Sequence, residues 1–104
     1  MERIHKLQTM LQQQPGDAFL QHALALELVK AGDDEAARQR FELLLQQQPD
    51  YLGSYYHLGK LLERQQQWQA ALDTYTKGMA VAKAAGDRHS HAELEGAFEE
   101  LADE

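Results

Sequence analysis

The chain has no cysteine, only two prolines and no excess of basic charge among its 104 residues. Without cysteine there is no disulfide framework and no thiolate metal site. Ten Lys and Arg face seventeen Asp and Glu, a net charge of −7. That balance excludes a general nucleic-acid binder, whose affinity comes from basic charge meeting phosphate. It equally excludes docking on an anionic membrane. No apolar run reaches the roughly 18 residues of a membrane-spanning helix. The opening Met1-Glu2-Arg3-Ile4-His5-Lys6 has no apolar stretch of the signal-peptide kind, so the expected compartment is the cytoplasm. The length corresponds to one domain, with no room for a Rossmann, barrel or two-domain enzyme fold. A chain of this size buries roughly 60–70% of its unfolded surface, enough for a modest core. The prolines stand at 15 and 49 and glycine is scattered, so nothing reads as a long linker or a disordered tail.

What is present is a repetition. Leu11-Gln12-Gln13-Gln14-Pro15 returns as Leu45-Gln46-Gln47-Gln48-Pro49, 34 residues later. That period marks a helix–turn–helix unit, which cannot bury its apolar face alone and stacks into a solenoid. Apolar residues recur at helical spacing and no strand alternation persists. Helices are expected near 2–14, 18–31, 34–48, 52–65, 68–85 and 88–102. Pro15 and Pro49 cannot continue a helix and push the preceding residue out of the helical region. Gly32-Asp33 reads as a glycine closing one helix and an N-cap opening the next, and Gly86-Asp87 repeats the pair. Gln66 holds the turn position of Gly32 in the second unit.

At the 34-residue offset Leu24 matches Leu58, Ala25 Gly59, Leu28 Leu62, Ala37 Ala71, Phe41 Tyr75 and Leu45 Met79. Small residues at 25, 59, 37 and 71 let the two helices of a hairpin approach closely. Large ones at 28, 62, 41 and 75 fill the space around that contact. Here the chain resembles the tetratricopeptide repeat family. Tyr55-x-x-Leu58-Gly59-x-x-Leu62, then Ala71 and Tyr75, follow its pattern, as do Leu24-Ala25, Leu28, Ala37, Phe41 and Pro49 in the first repeat. The resemblance covers residues 18 to about 83. It departs at Gln21, where an aromatic is usual, at Arg38, where an apolar residue is usual, and at Lys83, where the closing proline is expected.

The resemblance implies an all-α, right-handed helical-hairpin solenoid of the kind found in small standalone bacterial tetratricopeptide proteins. It implies one domain over 1–104. Residues 2–14 would be an N-terminal half-repeat helix, 18–51 and 52–85 two full repeats, and 88–102 a capping helix. Arg3 and Glu95 occupy small-residue positions in the end helices, as expected where no further helix packs.

Chemistry is sparse. His89 and His91 are two apart and point to different faces. His5, His22 and His57 fall on separate helices, so no metal ligand set forms. The acids Glu93, Glu95, Glu99, Glu100, Asp103 and Glu104 read as a solvated face. No nucleophile stands in motif spacing with a base, and no glycine loop cradles a phosphate. No cofactor is implied and no catalysis is expected.

In tetratricopeptide repeats the first helix of each pair lines the concave surface. By resemblance those positions here include Phe19, His22, Leu26 and Lys30, then Tyr56, Lys60, Glu63 and Arg64. His22-Leu26-Lys30 and Tyr56-Lys60-Arg64 form two stripes at i, i+4, i+8. Cations gathered in the groove of an acidic chain point to a protein or an acidic, carboxylate-bearing peptide, with Phe19, Leu26 and Tyr56 as anchors. The family's carboxylate clamp for chaperone tails is not matched, since His22 and Leu26 stand where it needs Lys and Asn. The expected function is a non-catalytic protein-interaction scaffold acting as a monomer. The alternative is a self-associating protein, a homodimer or higher, in which an end helix completes another copy's half-repeat.

Overall fold

The computed structural model describes residues 2–103. Its helices are α1 (Glu2–Gln13), α2 (Ala18–Lys30), α3 (Asp34–Gln47), α4 (Gly53–Arg64), α5 (Trp68–Ala85) and α6 (Arg88–Ala102), with no strand among the described residues. The architecture is the expected all-α helical repeat. The chain divides into two compact units, one through Gln48 and one from Pro49. In the first, α1 and α3 pack on α2; in the second, α4, α5 and α6 all pack on one another.

Local chemistry sets the helix ends. Asp17, Asp33 and Asp87 each accept a hydrogen bond from the backbone N–H three residues on, at 3.1, 3.2 and 3.0 Å. They satisfy one of the donors that a helix start leaves unpaired. Three helices close with the same pair of bonds. Gly32 N–H reaches Val29 and Asp33 N–H reaches Leu28, both at 3.0 Å. Gln66 N–H reaches Glu63 and Gln67 N–H reaches Leu62, at 2.9 and 2.8 Å. Gly86 N–H reaches Lys83 and Asp87 N–H reaches Ala82, at 3.1 and 2.9 Å. This is the Schellman arrangement, which needs a left-handed residue at its centre. Gly32 and Gly86 supply it, and so does Gln66, with φ of 61°.

The departures from the repeat pattern have structural accounts. Gln21 is buried, and its Nε2 donates to the Pro15 carbonyl at 2.7 Å. Tyr55, its match in the second repeat, donates its hydroxyl to the Pro49 carbonyl at 2.5 Å. An amide and a phenol thus perform one task. Arg38 stays on the surface and pairs with Glu42 at 3.1 Å. With Lys83 in place of proline, α5 runs on to Ala85, whereas Pro49 follows directly on the close of α3. The glutamine triplet at 46–48 folds back onto the segment before α2: Gln47 Oε1 lies 3.5 Å from Gln21 Nε2, and Gln48 Nε2 donates to Gly16 O at 2.9 Å.

The expected small and large positions form the two cores. Ala25, Ala37 and Phe41 are buried in the first unit, and Gly59, Leu62, Ala71 and Tyr75 in the second. Ile4, Leu7 and Leu11 of α1 join Leu24, with Leu20, Ala23 and Leu28 packed half-buried around them. Side chains of 150–250 Å² such as Phe41 and Tyr75 dominate a core this small. At the end of the second unit the register differs from the expected Leu94 and Phe98. Leu94 and Ala97 are buried, while Phe98 and Leu101 are half-buried. A helix presents i and i+3 together, and Ala97 offers the closer approach to α5.

Candidate peptide-binding surface

On α2 the four residues singled out by sequence take different positions. Phe19, in the first turn, is 66% exposed. His22 is half-buried, its ring edge-on to Phe41 of α3 at 5.9 Å. It is therefore partly committed to the hairpin. Leu26 is half-buried one turn on. Lys30 ends the helix on open surface, 3.3 Å from Glu27, which also takes Arg3 of α1 at 3.5 Å.

On α4 the arrangement is tighter. Tyr56 is half-buried, and the Lys60 ammonium lies 5.7 Å from its ring centroid. The same ammonium is 3.8 Å from Glu63 Oε2. Glu63 is held from beneath by the hydroxyl of Tyr75, which donates to it from α5. Tyr75 reaches that point because Gly59 makes room: a Cβ there would lie 2.1 Å from Tyr75 Cε1. Burial, then the bond to Glu63, pushes the Tyr75 hydroxyl far above the usual phenol range. It remains a donor at any working pH. Arg64, the last residue of α4, is exposed. Exposed ion pairs and cation–π contacts contribute about 0.2–1 kcal/mol each. A ligand carboxylate can therefore exchange with Glu63 at Lys60 at small cost.

The Tyr75–Glu63 bond escaped the sequence reading, which placed Tyr75 in the core and Glu63 on the surface. A signal for it was present in the repeat offset. Phe41, Val29 and Leu26 of the first repeat become Tyr75, Glu63 and Lys60 in the second, three apolar residues replaced together by a connected polar set. On the same helix the His57 imidazole is held below its usual value by burial, against the opposing pull of Glu93. Among the described residues no three His, Asp or Glu gather to hold a metal ion. No helix among them is long and apolar enough to cross a membrane.

Helical hairpins repeated every 34 residues, with small residues at the close approaches and exposed first-helix faces, define a class of helical repeat protein. Comparison with known proteins names it. A solved tetratricopeptide repeat domain protein from Salinibacter ruber is 41% identical, covers 83% of this chain and 97% of its own, and superposes with a TM-score of 0.79. A Pseudomonas aeruginosa protein named as containing tetratricopeptide repeats is 28% identical over 91 residues, 88% of this chain and 87% of its own. The TPR2B domain of yeast Sti1, solved in complex with pHsp70, has a TM-score of 0.88 over 96% of this chain and 80% of its own; at 15% identity it bears on fold alone. No family model matches the chain. The chain belongs to the tetratricopeptide repeat family, whose fold is in general a protein–protein interaction scaffold, usually without catalysis.

Proposed function

We propose that this chain binds an acidic peptide, or an acidic segment of a partner protein, on the first helices of its hairpins, and catalyses nothing. On α4 the contacts would come from Tyr56, Lys60 and Arg64; on α2, from Phe19, His22, Leu26 and Lys30. The observation that carries the reading is the placement of Lys60 between the Tyr56 ring and a Glu63 carboxylate fixed by Tyr75. A cation so held is oriented before a ligand arrives, which lowers the ordering cost of binding. Lys60 and Arg64 are one turn apart and can address the same ligand charge. Tyr56 adds a flat amphipathic surface beside them that is cheap to order.

The test is charge reversal. Lys60→Glu with Arg64→Glu leaves helicity and melting nearly unchanged, within about 0.5 kcal/mol, as surface substitutions do. Capture of the native partner weakens at least tenfold, about 1.4 kcal/mol, because like charge then meets the partner's acid. Recovery of the same proteins at the same salt by the double variant would refute this reading of α4.

A further inference from the structure

Between the start of α5 and the end of α6 lies an apolar cleft of about 380 Å³, lined by Trp68, Leu72, Leu101 and Ala102. It is separate from the Tyr56–Lys60–Arg64 stripe. Trp68 is the only tryptophan in the chain and is 51% exposed. It occupies the first position of α5 and is not needed to close the hydrophobic core, which is complete around Ala71 and Tyr75. An exposed tryptophan beside leucine on a small acidic domain is the pattern of a contact surface.

The rim of the cleft is acidic. Exposed Asp73 follows Leu72 on α5, and exposed Glu99, Glu100 and Asp103 flank Leu101 and Ala102 on α6. The last turn of α6 has no basic residue. Its acids therefore sit at the negative end of the helix dipole with no compensation from their own helix. An occupant that is apolar in the middle and cationic at its edge relieves this. The first half of α1 offers such a surface. Arg3, His5 and Lys6 are exposed there, and Met10, 44% exposed, shares a face with Arg3 and Lys6 at i, i+3, i+7 spacing. Methionine is flexible and packs well on an aromatic ring.

We propose that the Trp68 cleft receives the Arg3–Lys6–Met10 face of α1 from a second copy of this chain. The contact joins two different surfaces, so copies associate head to tail, and growth is set by concentration and salt. The same charge matching steers encounter between molecules whose net charge of −7 otherwise makes them repel.

Trp68 reports on its own burial. Across a dilution series from near-millimolar to low micromolar, light scattering and tryptophan emission are followed on the full chain at low and high salt. The expected result is a mean mass that rises with concentration, a blue shift along the same curve, and loss of both in high salt. Two variants test the pairing. One carries Arg3→Glu and Lys6→Glu, the other Glu99→Lys and Asp103→Lys. Each alone stays monomeric with unshifted emission, and their equimolar mixture associates, because reversed α1 now meets reversed α6. A native chain monomeric at every concentration with constant emission overturns the proposal, as does a mixture that stays monomeric. A blue shift on adding an amphipathic Leu/Lys peptide to a chain that never self-associates also overturns it, and assigns the cleft to a foreign cationic helix.

Discussion

The turn between α4 and α5 offers a direct measurement of backbone strain. Gln66 stands at φ 61°, beside 81° for Gly32 and 72° for Gly86, its counterparts in the other two turns. For a residue with a Cβ the left-handed region costs roughly 1–2 kcal/mol, because Cβ crowds the following carbonyl. Glycine removes that cost but adds about 0.5–1 kcal/mol of unfolded-state entropy. The difference predicts that Gln66→Gly stabilises by about 0.5–1 kcal/mol. For a domain of this size that is a rise in Tm of about 2–8 °C. The reverse change is the control. A Cβ added at Gly32 or Gly86 meets nothing within 4 Å. Gly32→Gln therefore introduces backbone strain with no clash and destabilises by a similar amount. Urea unfolding followed by far-UV circular dichroism, with the slope m unchanged, separates stability from altered compactness. If Gln66→Gly lowers the midpoint, or Gly32→Gln leaves it in place, the strain argument is wrong.

Gly59→Ala drives a methyl into the Tyr75 ring, whose Cε1 would lie 2.1 Å away; the expected loss is about 1–3 kcal/mol by thermal melting, and Gly59→Leu loses more. Asp17→Ala removes the 3.1 Å cap on Leu20 N–H and costs about 1 kcal/mol, with Asp17→Asn close to neutral in the same denaturation assay. Tyr75→Phe deletes the donor to Glu63, a bond to a charged group worth about 1.5–3 kcal/mol; unchanged stability would mean that solvent replaces the hydroxyl. The Asp87 carboxyl is held below its ordinary value of 3.8 mainly by the Ser90 backbone N–H, then by the Ser90 hydroxyl. A depressed carboxyl stabilises the folded state above its unfolded pKa and loses that contribution as pH falls through the folded one. Acid titration of the melting temperature should therefore show a drop below pH 3.8 that Asp87→Asn flattens.

The fold was legible because each packing demand is written twice. Ala25 and Gly59, Ala37 and Ala71, Phe41 and Tyr75 answer the same steric question 34 residues apart, so one comparison separates core from surface. The turns were legible for a related reason: Gly32-Asp33 and Gly86-Asp87 each spell a left-handed residue followed by a cap. What escaped notice was written only once. Gly78 is wedged between Tyr55 and Leu94, where a Cβ would lie 2.8 Å from Tyr55 Cβ and 2.9 Å from Leu94 Cδ1. Its counterpart at the offset is Leu44, buried in the first unit, so the glycine looked like drift. The demand comes from α6, which crowds α5 where it also meets α4, and no repeat partner records it. Trp68 is similar: its counterpart is Asp34, at the start of α3, and an apolar residue in that place follows from no packing need within the hairpin.

This asymmetry is itself informative about function. Where the two repeats agree, packing explains the agreement, since tetratricopeptide hairpins share one core geometry. Where they differ on the exposed face of the first helix, packing is silent and another pressure is at work. His22 against Tyr56, Leu26 against Lys60 and Val29 against Glu63 are such differences. They do not vary independently. A lone Glu63 would set an uncompensated carboxylate against a buried ring, and a lone Tyr75 would carry a buried hydroxyl without an acceptor, each costing about 1–3 kcal/mol. Together with Gly59, which admits the Tyr75 ring, and Lys60, which faces Glu63, they form a set whose members satisfy one another. A surface that needed only solubility would not require a support reaching through the hairpin from α5. The connected change from apolar to polar therefore marks α4 as the face under selection for recognition, and Leu26→Lys with Val29→Glu, which copies the surface charges onto α2 without Tyr75, tests that argument. The transplanted pair has only Phe41 beneath it. It should leave binding at α2 unimproved, and a gain there would show that surface charge alone suffices.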